Sequence, residues 1–138
     1  MDEITVASGV SFTAVKERQV GTPPRTVGPT IKVLVAREGV KKEALRLDPF
    51  PKGAHYHYFE VDAPQEDERD QGVQFYLDEV FTGDQVEWVL GTMLPKLPAM
   101  LRRAGYHAEA KTIAEVPLAL AEAIDKVRVL LDRVAVAA

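Results

Sequence analysis

The chain has 138 residues, a formal charge of −4 and no cysteine. That length suits a single domain, and a hydrophobic share of 46% beside 28% charged residues is enough for a core in a soluble protein. The missing cysteines exclude disulfides, thiolate metal centres, iron–sulfur clusters and cysteine nucleophiles, and the acidic balance lends no support to nucleic-acid binding.

The chain opens Met1-Asp2-Glu3-Ile4, which lacks the basic region and apolar run of a secretory signal. No stretch approaches the roughly 18 apolar residues of a membrane span. A soluble cytoplasmic protein without membrane partners is expected.

Val10 to Lys16 alternates and is rich in β-branched residues, so it reads as a strand. Gln19 to Pro29 is broken by Gly21, Pro23, Pro24, Gly28 and Pro29 and reads as a loop. Ile31 to Val35 is a strand, Glu38-Gly39 a hairpin turn, and Glu43 to Leu47 the returning strand. Asp48 to Gly53 is a second turn, and Ala54 to Val61 a strand bearing His55 and His57. An acidic loop follows from Pro64 to Gln71, then a last strand from Gly72 to Leu77. Short strands joined by turns predict an antiparallel meander of about five strands within residues 1–81.

Residues 82–138 read as helical. Thr82 and Asp84 are good N-caps with Gln85 and Glu87 at the capping-box spacing. Val86, Val89, Leu90, Met93, Leu94, Leu97 and Leu101 form an apolar stripe, which Pro95 and Pro98 should kink or break near Met93–Leu94. Gly105 ends this element as a C′ residue, and Pro117 fits N1 of a final helix. Leu120, Ile124, Val127, Leu131 and Val134 then make a heptad-like seam, suited to packing on the sheet or to a homodimer. The whole predicts an α+β domain: a sheet followed by two or three helices packed on one face.

Alternation places His55 and His57 on one face of their strand. Phasing by hydrophobicity puts both under the helices with Phe59, Val61, Val73, Phe75, Leu77, Leu45, Leu47, Ile31, Val33 and Val35. Tyr56, Tyr58, Tyr76, Arg46 and Lys32 then form the opposite face. Two imidazoles presented together could bind a divalent metal such as zinc, with His107, the remaining histidine, or a carboxylate completing the shell. Glu43, Glu60, Asp62, Asp78 and Glu79 are the candidate carboxylates. Without a metal, the pair could line a small-ligand pocket or be structural histidines with satisfied hydrogen bonds.

Gly53-x-His55-x-His57-x-x-Glu60, following Pro49 and Pro51, resembles the first motif of the cupins. The resemblance implies a small barrel with His55, His57 and Glu60 as metal ligands. The spacings from Gly53 to His55 and from His57 to Glu60 are short for that motif, and the family's second motif is missing.

Neither Ser8 nor Ser11 sits in a hydrolase elbow, and no glycine-rich phosphate loop occurs. The absence of a complete catalytic set favours a non-enzyme. The sequence therefore predicts an interaction or accessory protein, self-associating or part of a larger enzyme complex. Its binding surface would comprise Tyr56, Tyr58, Tyr76 and Arg46, supported by the Pro-rich arm and the helix seam. A metal-binding protein using His55 and His57, or a small-ligand binder beside them, is the alternative.

Overall fold

Alternating β-branched and apolar residues over the first half of the chain build one antiparallel sheet, seen in a computed structural model that describes residues 3–7, 9–20, 26–62 and 72–137. Its strands are β1 (Glu3–Ala7), β2 (Val10–Val20), β3 (Thr26–Arg37), β4 (Val40–Asp48), β5 (His55–Tyr58) and β6 (Val73–Tyr76). They pair in sequence order as an open meander, six strands where the alternation predicted about five. The extra one, β1, is too short and mixed to stand out in the sequence. The predicted loop over Gln19 to Pro29 is also narrower, since β2 and β3 pair Gln19 with Val27 and Val20 with Thr26. Residues 21–25 of that arm and the acidic loop 63–71 lie outside the described residues.

Two local devices shape the β3–β4 hairpin. Glu38 and Gly39 take φ of 52° and 79°, the two positive values of a type I′ loop. A bulge then sets Val33 against Leu45 but Leu34 against Glu43, leaving Ala44 as the extra residue. Ala44's carbonyl accepts the Phe59 N–H at 2.9 Å, which ties the end of β5 to the bulge.

The helical half follows as α1 (Glu79–Thr82), α2 (Gln85–Trp88), α3 (Leu97–Arg103), α4 (His107–Ala114) and α5 (Pro117–Ala137). Between α2 and α3 the apolar stripe runs through a π-turn (Val89–Met93) and a 3-10 turn (Leu94–Lys96), the break that Pro95 and Pro98 predict. At the end of α3, Gly105 N–H donates to Arg102 O and Tyr106 N–H to Leu101 O, with Gly105 at φ 94°, a Schellman stop.

Phe12, Ile31, Val33, Leu45 and Leu47 from the sheet meet Leu90, Leu94, Leu97, Leu101, Ile113 and Val127 from the helices, all essentially unexposed. Each such side chain contributes about 1.5–3 kcal/mol on burial. The seam residues Leu120, Ile124, Val127 and Leu131 belong to this core, with α5 lying against β1 and β2. They are therefore spent within the chain and do not offer a dimer seam; the side chain of Val134 is outside the described residues.

Register corrects the predicted assignment of faces. Leu45 pairs with Tyr58 and Leu47 with Tyr56, while Arg46 pairs with His57 and Asp48 with His55. On the other side, Tyr56 pairs with Phe75 and His55 with Tyr76. Cross-strand partners share a face. Tyr56, Tyr58, Val73 and Phe75 therefore lie on the helix side, where Arg103 of α3 stacks 4.4 Å from the Tyr58 ring. His55 and His57 lie on the outer face with Tyr76, Arg46, Asp48 and Lys32. The inversion has a simple cause. The chain leaves the sheet after Tyr58, with Val61 N–H reaching Ala104 O, so Val61 says nothing about the strand's phase. Phe59 does follow the histidines, but it covers them on the outside, stacked 5.8 Å from the His57 ring.

Candidate functional site

The outer face carries a buried polar group assembled from four strands. Arg18 of β2 pairs with Gly28 of β3, and Thr30, two residues on, shares that face. Asp48 closes β4, and His55 and His57 stand on β5. Away from the helices, such residues would ordinarily be solvated. Here Asp48 is 0% exposed, His57 and Thr30 1%, and His55 9%.

Aromatic residues provide the cover. Phe50 is unexposed and meets His55 edge-on at 5.5 Å, and Phe59 lies flat on His57. Arg46 stacks 5.1 Å from the Phe59 ring and pairs with Glu43. Phe50 can settle so close to β3 because residue 28 is glycine: a Cβ there would stand 2.5 Å from the Phe50 ring.

Asp48 is the centre of the group. Its Oδ1 accepts the Thr30 hydroxyl at 2.6 Å and the Arg18 guanidinium at 3.1 Å. Its Oδ2 lies 2.9 Å from His55 Nε2 and 3.5 Å from His57 Nε2. Arg18 also donates through Nε to the Thr30 hydroxyl at 2.9 Å. Burial alone would raise the Asp48 pKa, but the donors His55, His57 and Thr30 and the charge of Arg18 outweigh it and hold the carboxyl far below its ordinary range.

His55 is fixed at both nitrogens. Its Nδ1 is 2.7 Å from the Gly53 carbonyl, which can only accept, so Nδ1 carries a proton. Gly53 is itself anchored, because Glu79 of α1 accepts the Gly53 and Ala54 N–H groups at 2.6 and 3.2 Å. Burial pulls the His55 pKa down, but the hydrogen bond to Asp48 and the contact with Gly53 raise it above the ordinary value.

Asp48, His55 and His57 thus form a three-donor cluster, one ligand atom from each residue and all within 4.8 Å of one another, with both Nε2 atoms turned to Asp48 Oδ2. A zinc ion about 2.0–2.1 Å from each ligand spaces them at about 3.3 Å, close to the 2.9 and 3.5 Å between Asp48 Oδ2 and the two imidazole nitrogens. Nδ1–H on a backbone carbonyl is the arrangement that leaves Nε2 with its lone pair toward a metal.

The predicted site residues divide. His55 and His57 come together, but His107 opens α4 exposed in the helical layer and is not in the cluster. Tyr56 and Tyr58 are on the helix side, so the tyrosine surface is reduced to Tyr76, whose ring is 5.7 Å from His55. Arg46 is held against Glu43 and Phe59. None of the five candidate carboxylates supplies a donor to the cluster; Glu60 is exposed, and Asp78 caps α1. The cupin expectation fails with it, since β1 and β6 are the edges of an open sheet. The third donor, Asp48, and its partners Thr30 and Arg18 were missed. Pairing the strand at Leu45 and Leu47 with the histidine strand across the Asp48–Gly53 turn would have set Asp48 opposite His55.

Fold and site together define a class: a small α+β protein with helices over one face of an open antiparallel sheet and a buried Asp–His–His cluster on the other. The chain belongs to the family described as a domain of unknown function (DUF7700), which matches residues 4–130. No curated protein and no solved structure matches it.

Proposed function

We propose that the outer face of the sheet is a divalent-metal site with Asp48, His55 and His57 as ligands. The observation that carries this reading is the convergence of three buried donor atoms, one from each residue, within 4.8 Å. Two imidazoles and a carboxylate suit zinc or ferrous iron, and three protein ligands leave coordination positions open to water or a substrate. Thr30 and Arg18 would orient Asp48, and Gly53 would orient His55. Elemental analysis of untagged protein is expected to find about one metal per chain, and His57→Ala to remove it. Failure of the chelated chain to take up zinc, ferrous iron, cobalt or manganese on dialysis would overturn the reading.

A second reading, self-association of an accessory protein, is favoured by a different observation. Val80 and Phe81 of α1 are 96% and 74% exposed, and Tyr76 just before them is 73% exposed. This is more apolar surface in one short segment than a solvated edge needs. Light scattering is expected to give twice the 15.2 kDa chain mass, falling to the single mass in Phe81→Glu. A wild-type monomer at high concentration would sink the idea.

A further inference from the structure

A second polar feature lies at the other end of the sheet and has no part in the metal reading. Tyr106 follows Gly105 at the Schellman stop of α3 and is 1% exposed. Its ring is held from one side by the Arg37 guanidinium, 5.0 Å from the centroid. Arg37 is in turn gripped by Glu109 of α4 at 2.7 and 2.8 Å. The ring is thus fully employed, and a phenylalanine would serve for all of it. The Tyr106 hydroxyl, however, has no hydrogen-bond partner among the described residues. A buried hydroxyl left unpaired is a standing cost to the fold, and such groups are rare.

Tyr106 lines a cavity of about 380 Å³, at the small end of the range for small-molecule sites. Val35, Val40 and Val61 give it apolar walls, while Arg37 and Lys42 add two cations and Glu38 and Asp62 two carboxylates. The β3–β4 bulge turns Lys42 to pair with Val35, on the helix side of the hairpin. Gly105 lets the Val61 segment close on the stop, since a Cβ at residue 105 would stand 2.7 Å from Val61 Cγ1. Burial, with Arg37 opposing and the carboxylates of Glu109 and Asp62 adding to it, raises the Tyr106 pKa, so its hydroxyl stays a donor at neutral pH.

We propose that this cavity binds a small aliphatic amino acid, its carboxylate taken by the Tyr106 hydroxyl and Lys42, its ammonium by Asp62 and Glu38, and its hydrocarbon by the three valines. Two cations and two carboxylates beside an apolar wall fit a zwitterion better than a simple anion, which would meet the carboxylates, or a simple amine, which would meet the cations and leave the hydroxyl without an acceptor.

Calorimetric titration of the full chain with L-leucine, 4-methylpentanoate and 3-methylbutylamine separates these cases. The latter two are leucine without its ammonium and without its carboxylate. L-leucine is expected to bind at least tenfold more tightly than either. Tyr106→Phe is expected to weaken leucine binding roughly tenfold, the value of one hydrogen bond. The same variant, freed of an unpaired buried hydroxyl, should melt at a higher temperature than the wild type. No saturable leucine binding, equal binding of the amine or the acid, or unchanged leucine affinity in Tyr106→Phe would each overturn the proposal.

Discussion

Asp48→Asn is expected to lower the unfolding free energy by about 3–5 kcal/mol, the range for removing one partner of a buried ion pair. The carboxylate is 0% exposed and answers Arg18, Thr30, His55 and His57 at once. An amide of the same shape removes the negative charge and turns a donor toward other donors. His55, whose side chain is 11% exposed, then has no adjacent counter-charge within the group, and Arg18 keeps only its partial access to water at 28%. The cost should rival that of a large core truncation such as Leu45→Ala, about 2–5 kcal/mol. Urea titrations of the chelated protein at neutral pH measure it. Arg18→Ala placed on top of Asp48→Asn should cost clearly less than Arg18→Ala alone, because the guanidinium has already lost its partner. A loss under about 1 kcal/mol for Asp48→Asn would mean that water reaches the group far more freely than the packing of Phe50 and Phe59 implies.

The division of the chain was legible because each half has a strong and different period. Ile31, Val33, Leu45 and Leu47 alternate as strand residues of one buried face, and Leu90, Leu94, Leu97 and Leu101 recur as a helical stripe. Local chemistry was equally plain at Gly105 and Pro117, where backbone geometry leaves few choices. The site was half legible. His55 and His57 announce themselves by spacing, but their face depended on register, and aromatic residues misled the phasing because they occur on both faces. Phe75 packs on the helix side, while Phe50 and Phe59 cover the outside. Asp48 was hidden by its sequence context, since Asp-Pro-Phe-Pro reads as a turn even though Asp48 is the last residue of β4. Arg18 and Thr30 were hidden for another reason: they join the site through a second bulge, between Val15 and Arg18, which no periodicity reports.

Zinc is expected to reverse the way stability changes with pH on the alkaline side. In the metal-free protein the two centres of the group act in opposite directions. The Asp48 carboxyl is held below its ordinary value of 3.8, so its contribution is fully present above that value and drains away as acid takes the pH down toward its folded value. His55 is raised above 6.5, so its contribution is full below that value and is lost as the pH climbs through the folded one. Chelated protein should therefore melt lower at pH 8 than at pH 6. Metal coordination needs the lone pair of His55 Nε2, so binding releases a proton and tightens with rising pH. At a free zinc concentration of 100 times Kd the folded state gains about 2.7 kcal/mol. The zinc-loaded protein should then melt higher at pH 8 than at pH 6, so that the two curves diverge with alkalinity. The His57→Ala variant removes a ligand but leaves His55 on Asp48, and it should keep the falling curve with or without zinc. Coincident curves for wild-type protein with and without zinc at pH 8 would leave Asp48, His55 and His57 as a charge network that holds four strands together and nothing more.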